Sequence, residues 1–76
     1  MPKLPRISSK KAIRALERMG FRQVRTTGSH VVMKKRTENS GEIGCVVPMH
    51  KELKIGTLSG VLKQAQVTAE DFIKNI

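Results

Sequence analysis

Large aromatic side chains are scarce in this chain, and so are cysteines. In 76 residues there are two Phe, one Cys, no Tyr and no Trp. Without aromatic platforms, base stacking cannot be the main source of affinity for single-stranded nucleic acid. A single Cys closes no disulfide within the chain, which is typical of a reducing compartment, so we expect a cytoplasmic protein.

Long apolar segments are missing as well. No stretch approaches the roughly 20 apolar residues that cross a bilayer, so we expect no membrane contact. Residues 1–6 also lack the apolar centre of a signal peptide. A chain of 76 residues is expected to form one domain, residues 1–76, with a small core. Because such a core leaves little room for a large cofactor, we expect none and look for function on the surface.

Acidic residues are the third shortage, with 6 Asp and Glu against 15 Lys and Arg and a net charge of +9. Residues 1–36 carry 11 basic residues and one acidic residue, which gives a net charge of +10. Residues 37–76 carry 4 basic and 5 acidic residues, which gives a net charge of −1. A concentrated positive field attracts phosphate backbones or an acidic protein. The alternative is a charge that only keeps the protein soluble.

The basic half begins with a predicted amphipathic helix. Ser8 or Ser9 can cap its start and Gly20 can end it. At about 100° per residue, apolar side chains share one side and basic side chains share the other. The apolar side holds Ala12, Ile13, Ala15, Leu16 and Met19, and the basic side holds Lys10, Lys11, Arg14 and Arg18.

Three strand-like segments follow the helix. The predicted strands are residues 21–26, 30–35 and 42–47. Thr27-Gly28-Ser29 predicts a tight turn between the first two, and Asn39-Ser40-Gly41 predicts a turn before the third. Pro48 ends the third strand because proline cannot donate to a sheet. Such short turns predict an antiparallel meander.

Two further helices complete the pattern. Apolar residues recur at helical spacing over residues 58–65, and Thr68 begins a short last helix with Asp71 as part of an approximate capping box. We expect its buried side to hold Phe72, Ile73 and Ile76. The order is therefore α-β-β-β-α plus a short C-terminal helix, an α+β fold. Its helices are expected to cover one face of the sheet and leave the other open.

Candidate metal ligands are scattered along the chain. Nucleases that use divalent metals hold them with clustered carboxylates, whereas these acids are spread over a helix, a turn, a strand edge and the C-terminal segment. His30, His50 and Cys45 have no zinc-ligand spacing. We therefore expect no metal site. The acids are Glu17, Glu38, Glu42, Glu52, Glu70 and Asp71.

Cleavage of a phosphodiester without metal is open mainly to RNA. The RNA 2′-hydroxyl is a nucleophile placed beside the phosphorus, and such placement is worth effective molarities of roughly 10⁵–10⁸ M. The protein then adds acid–base assistance, worth about 10²–10⁴-fold, and stabilises the charge that develops on the phosphate. DNA has no such hydroxyl, so a metal-free nuclease of this size is expected to act on RNA.

His30 is the candidate acid–base residue, because an imidazole changes charge near neutral pH and this one follows the Gly-Ser turn. Gly28 permits a positive φ and a close approach of the ligand backbone. Ser29 offers a hydroxyl and an N–H to a phosphate oxygen. Arg25 and Lys34 supply positive charge on either side of the turn. An ordinary exposed histidine at a strand start is the alternative interpretation.

A second histidine lies in the polar loop after the third strand. His50 and its neighbour Lys51 can bind phosphate or assist His30, although an ordinary loop histidine fits as well. Cys45 is expected to be a small buried side chain. Its face depends on register, because pairing with Val32 would place it with His30 and a slip of one residue would turn it away.

Six segments along the chain form an ordered set: Gly20-Phe21, Gly28-Ser29-His30, Val47-Pro48-Met49-His50-Lys51-Glu52-Leu53, Gly56-Thr57-Leu58, Leu62-Lys63-Gln64-Ala65 and Phe72. Together these segments resemble the HicA (YcfA-like) toxins. The resemblance implies a fold like that of double-stranded-RNA-binding domains, an mRNA endoribonuclease activity and neutralisation by a HicB antitoxin encoded beside the toxin. It places the family's catalytic histidine at His30 and its second histidine at His50. Gln66 stands where the family usually has Gly, which implies an altered helix end.

Two other interpretations stay open. The same fold can serve as a non-catalytic RNA-binding module, in which the basic first helix follows the phosphates and shape provides recognition. A DNA-binding helix-turn-helix formed by the last two helices is disfavoured by their near-neutral charge. The leading hypothesis remains a metal-independent endoribonuclease toxin.

Overall fold

The structure is a computed structural model that describes residues 3–39 and 41–76. The predicted α+β fold is confirmed, with three antiparallel strands that lie in the sheet in chain order. The second strand runs two residues further than predicted, and Ser40 of the predicted second turn lies outside the described residues. The elements are α1 Ser9–Arg18, β1 Arg22–Thr26, β2 His30–Thr37, β3 Gly41–Pro48, α2 Ile55–Ala65 and α3 Ala69–Lys74.

Helix α1 has the ends that its sequence predicts. Ser8 is the N-cap, and its Oγ accepts a hydrogen bond from the Lys11 N–H at 3.1 Å. The helix stops at Met19, and Gly20 then takes a φ of +100°, a conformation that glycine adopts readily. The predicted apolar side is buried in the core except at Met19, which is partly buried, whereas the four basic residues predicted for the opposite side are all exposed.

The sheet has one covered face and one open face. In β2 the side chains of Val31 and Met33 are buried, whereas His30 is exposed, as the two-residue alternation of a strand requires. Strand β3 continues the buried face, with Val47 opposite Val31 and Cys45 opposite Met33. These residues join one apolar cluster with the buried residues of all three helices. The helices therefore lie on one face, as predicted.

Strand β1 contains a bulge. Arg22 pairs with Lys34, and Arg25 pairs with Val32. The step from one pair to the other is therefore three residues along β1 but two along β2, and Val24 is the extra residue. All five residues of β1 are exposed. The helices therefore cover the other two strands more completely than this edge.

The last two helices close the core. Helix α2 buries Leu58, Val61, Leu62 and Ala65. It ends at Gln66 with a φ of 56° in the left-handed region, a position that favours glycine. In α3, Thr68 Oγ1 accepts from the Asp71 N–H at 3.1 Å and Phe72 is fully buried. The predicted buried side of α3 is confirmed at Phe72, whereas Ile73 is only half-buried. The prediction is wrong at Ile76, which is 46% exposed because the helix has already ended at Lys74.

Candidate active site

The turn between β1 and β2 is closed by hydrogen bonds from one threonine. The Thr27 N–H donates to the His30 carbonyl at 2.8 Å, and the His30 N–H donates to Thr27 Oγ1 at 3.1 Å. The hydroxyl of Thr27 also donates to the same carbonyl at 3.2 Å. Gly28 and Ser29 form the tip between these two residues. The backbone that carries His30 is therefore held in place by three local bonds.

The side chains of Ser29 and His30 are hydrogen-bonded to each other. Ser29 Oγ lies 2.8 Å from His30 Nδ1, and both residues are exposed. The hydroxyl can accept from a protonated Nδ1 or donate to a bare one, so the bond fits either tautomer. Because Nδ1 is engaged in both cases, Nε2 is the nitrogen available to an external ligand.

Gly28 does not use the positive φ that glycine permits, since the positive-φ glycines in the described residues are Gly20 and Gly41. A Cβ added at Gly28 would meet no other atom within 4 Å. The protein's own packing therefore gives no reason for glycine at this position. Open space above the turn is what a close-approaching ligand needs, so the predicted binding role of Gly28 now depends on that space rather than on a special backbone conformation.

Arg25 and Lys34 lie on the same face of the sheet as His30. Val32 and Lys34 follow His30 at two-residue steps along β2, and Arg25 is the cross-strand partner of Val32. Glu42 also lies on this face, and its carboxylate accepts from Arg22 at 3.1 Å across the sheet. In residues 3–39 and 41–76, no carboxylate pairs with Arg25 or Lys34. Their charges are therefore available to an anion.

The loop that carries His50 is fastened to both the turn and α1. The Met49 N–H donates to the Ser29 carbonyl at 2.8 Å. Ser9, which is fully buried, donates from its hydroxyl to the Pro48 carbonyl at 2.6 Å and accepts from the His50 N–H at 2.8 Å. The Ser9 N–H donates to the His50 carbonyl at 3.1 Å. These bonds set the position of the second histidine relative to the first.

Sequence reasoning missed the contribution of Ser9 and Thr27. Ser9 was a candidate helix cap, but Ser8 caps α1 and Ser9 instead joins the helix to the loop. Two adjacent serines before a helix were the only available signal, since the loop partner lies 39 residues away in sequence. The sequence places Thr27 in a turn, and the available signal for its role is that Ser and Thr hydroxyls in turns bond the nearby backbone.

His50 and Lys51 are exposed side chains beside the start of α1. With Ser8, Lys10 and Met49 they line a shallow hollow of about 380 Å³. No hydrogen bond joins the His50 and His30 rings in the part of the chain that the structure describes. The structure thus brings Gly28, Ser29, His30, Arg25 and Lys34 to one turn and one sheet face, and places the His50 loop next to that turn.

Cys45 takes no part in this arrangement. It pairs with Met33 rather than with Val32, so it points to the covered face, away from His30. Burial raises the pKa of its thiol to about 11. The thiol is therefore neutral at physiological pH, which suits a core residue and not a nucleophile.

Metal ligands do not come together in the described residues. Among residues 3–39 and 41–76, no three His, Cys, Asp or Glu side chains are grouped so as to hold a metal ion. Within the same residues no helix is long and apolar enough to cross a membrane.

Fold and site together define a small basic α+β protein with a turn-held histidine at the edge of an open, cationic sheet face. The family model described as the HicA toxin of bacterial toxin–antitoxin systems matches residues 9–67, more than three quarters of the chain. The chain belongs to this family of toxins, and membership implies an antitoxin partner. A search of curated proteins found no match.

Proposed function

We propose that this chain is the toxin of a type II toxin–antitoxin pair and cleaves mRNA in the cytoplasm as a metal-independent endoribonuclease. The observation that carries the proposal is the exposed imidazole of His30, with Ser29 Oγ 2.8 Å from Nδ1 and unpaired cations on the same face. Family membership supports the role of toxin. The net charge of +9 supports a polyanionic substrate.

The proposed reaction is attack by a ribose 2′-oxygen on the adjacent phosphorus. The bond from O2′ to phosphorus forms as the bond from phosphorus to O5′ breaks, which leaves a 2′,3′-cyclic phosphate and a 5′-hydroxyl. One proton leaves the 2′-hydroxyl and one reaches O5′. His30 performs one of these transfers through Nε2 and water performs the other, while Ser29 orients the ring through its hydrogen bond with Nδ1.

Substrate binding is assigned to the groups around the turn. Gly28 leaves space for the RNA backbone, and the N–H and hydroxyl of Ser29 lie where a phosphate oxygen would approach. Arg25 and Lys34 stabilise charge on the phosphates along the open face. His50 and Lys51 bind a flanking phosphate from the loop after β3. Because the positive groups act on the phosphate backbone, they position RNA without reading its sequence.

The deciding experiment compares the intact protein with His30→Ala on a long labelled RNA. We expect His30→Ala to keep the fold and RNA affinity and to lower the cleavage rate roughly 10²–10⁴-fold. The matched control is His50→Ala, which should raise KM more than it lowers kcat. Full cleavage by His30→Ala would remove His30 from the mechanism. RNA binding without cleavage by the intact protein would favour the non-catalytic module.

Metal independence is tested in the same assay. Activity should survive EDTA, because the described acids form no cluster of the kind that divalent-metal nucleases use. Loss of cleavage in EDTA that is restored by added Mg²⁺ would contradict the proposal. The cyclic phosphate is a second readout, since metal-assisted attack by water leaves no 2′,3′-cyclic end.

The partner is proposed to be a HicB-like antitoxin with an acidic surface. It would cover His30 and compete with RNA for Arg25 and Lys34, because both ligands need the same positive charges. Lys34→Glu should weaken the complex with the product of the neighbouring reading frame, and excess RNA should displace that product. An interface that leaves His30 open to RNA would count against occlusion.

A further inference from the structure

The open face of the sheet is not uniformly polar, because an apolar pair crosses it beside His30. Val32 and Val46 are cross-strand partners, and Val46 is 39% exposed while Val32 is half-buried. A cross-strand pair of β-branched side chains helps to stabilise the sheet. An apolar pair beside a charged site also offers a contact to the apolar part of a charged ligand. We name Val32 and Val46 the valine pair.

On the open face, cross-strand partners form rows that run across the strands, and the valine pair is one of these rows. Side chains two residues apart on one strand share a face at a spacing of about 6.7 Å. The row before the pair holds His30, opposite Pro48, and the row after it holds Lys34, opposite Gly44. The valine pair therefore lies between the imidazole and the lysine.

Gly44 shapes the row that follows. A Cβ at this position would come within 3.3 Å of Lys34 Cγ and 3.1 Å of the Met33 carbonyl oxygen. The lack of a side chain lets Lys34 lie close to β3, next to the apolar row. Arg25, the partner of Val32, adds a second cation at the other end of the same row. The valine pair is thus bounded by positive charge on two sides and by His30 on a third.

We propose that the valine pair is a nucleobase-binding site, in which the base beside the scissile phosphate lies against Val32 and Val46. This inference rests on the proposed ribonuclease function. A nucleotide alternates an apolar base face with a charged phosphate, and the rows alternate in the same way: imidazole, apolar pair, lysine. The pair has no hydrogen-bonding groups in its side chains, so it contacts the face of the base and accepts any of the four bases.

RNA fits this surface better than a protein partner does. A stable protein interface buries about 800 Å² on each side around an apolar centre. The apolar surface here is one row of a three-stranded sheet, and charged groups begin at its border. Such a patch is the size of a base rather than of an interface core.

The test measures binding of two oligonucleotides that cannot be cleaved because they lack a 2′-hydroxyl. One is 2′-fluoro RNA, and the other is an abasic strand with the same number of phosphates. The variant Val32→Thr/Val46→Thr keeps β-branched side chains and replaces a methyl by a hydroxyl in each. Its fold is checked by circular dichroism and thermal unfolding. The control is Ile55→Thr, which removes apolar surface from a residue that is 46% exposed in α2.

We expect the double variant to bind 2′-fluoro RNA roughly three- to tenfold more weakly than the intact protein and to bind the abasic strand equally well. Ile55→Thr should change neither affinity. Equal weakening on both strands, or none on either, would overturn the base-binding site. A double variant that loses only the acidic protein partner would show that the pair is a protein contact instead.

Cleavage of ordinary RNA by the intact protein, measured in parallel, separates the two proposals. If the intact protein cleaves while the double variant binds 2′-fluoro RNA normally, the ribonuclease function stands and the base-binding site fails. If nothing cleaves but the base-dependent difference in affinity is present, the site stands and the catalytic proposal fails.

Discussion

The two sides of strand β2 differ sharply in their burial. On the covered side Val31 and Met33 are 2% and 0% exposed, whereas His30 and Lys34 on the open side are exposed. Residues that carry the core and residues that carry the proposed chemistry alternate along one strand. Stability and function are therefore separable here by substitution, even though the positions are adjacent in sequence.

Substitutions at Met33 and at Lys34 are expected to separate stability from RNA binding most clearly. Met33→Ala should lower the free energy of unfolding by about 2–5 kcal/mol, because it leaves a cavity in a core that has no exposed surface at this point. Urea unfolding followed by circular dichroism measures this change. RNA affinity should stay the same under conditions where the variant is folded.

Lys34→Ala is the matched control on the open face. Its free energy of unfolding should change by no more than about 0.5 kcal/mol, while RNA affinity falls and depends less steeply on salt. A comparable loss of stability in both variants would contradict the division between the two faces.

The next largest effect is expected at Ser9, on the border between core and site. Ser9→Ala leaves the His50 N–H and the Pro48 carbonyl without the partner described above, which should cost about 1–3 kcal/mol of stability. Amide hydrogen exchange gives the specific readout, because exchange of the His50 N–H should become faster. The control Ser8→Ala removes the cap of α1 and should leave that amide unchanged. Unaltered exchange in Ser9→Ala would show that the bond does not hold the loop.

The covered face and the element order could be predicted from the sequence, because both depend on local periodicity. The placement of His30 at the start of β2 followed from a short turn before a β-branched segment. The Ser9 contact could not be predicted, because it joins positions that are remote in sequence. The bulge at Val24 was missed because no glycine or proline marks it, and the exposure of Ile76 was missed because the helix ends two residues earlier. The roles of His30, His50 and the basic residues stay predictions.

A smaller effect, of opposite sign, is expected at the end of α2. Gln66 has a φ of 56°, which costs an ordinary side chain energy that glycine avoids. Gln66→Gly should therefore raise the free energy of unfolding by about 0.5–1 kcal/mol without changing RNA cleavage. Lys63→Gly, at an exposed position within the helix, is the control and should lower the free energy of unfolding. A loss of stability in Gln66→Gly would mean that the glutamine side chain makes a compensating contact.

An effect confined to alkaline pH, and absent at neutral pH, is expected from Cys45. Burial raises its pKa from 9.0 to about 11, so the folded protein favours the neutral thiol. This contribution to stability is fully present below pH 9.0 and is lost as the pH rises from there to about 11. The free energy of unfolding should therefore fall more steeply between these values in the intact protein than in Cys45→Ala. Parallel curves for the two proteins would show that the thiol ionises equally well when folded and unfolded.

The bulge in β1 has a consequence for how this surface tolerates insertions and deletions. Arg22 and Arg25 are three positions apart, an odd spacing that would send them to opposite sides of a regular strand. Because Val24 is accommodated as an extra residue, Arg22 can reach Glu42 while Arg25 lies opposite Val32, both outside the helical layer. Removal of Val24 would leave the two arginines two positions apart, so both would keep their side of a regular strand. Regular pairing that retained Val24 would instead turn one guanidinium towards the interior.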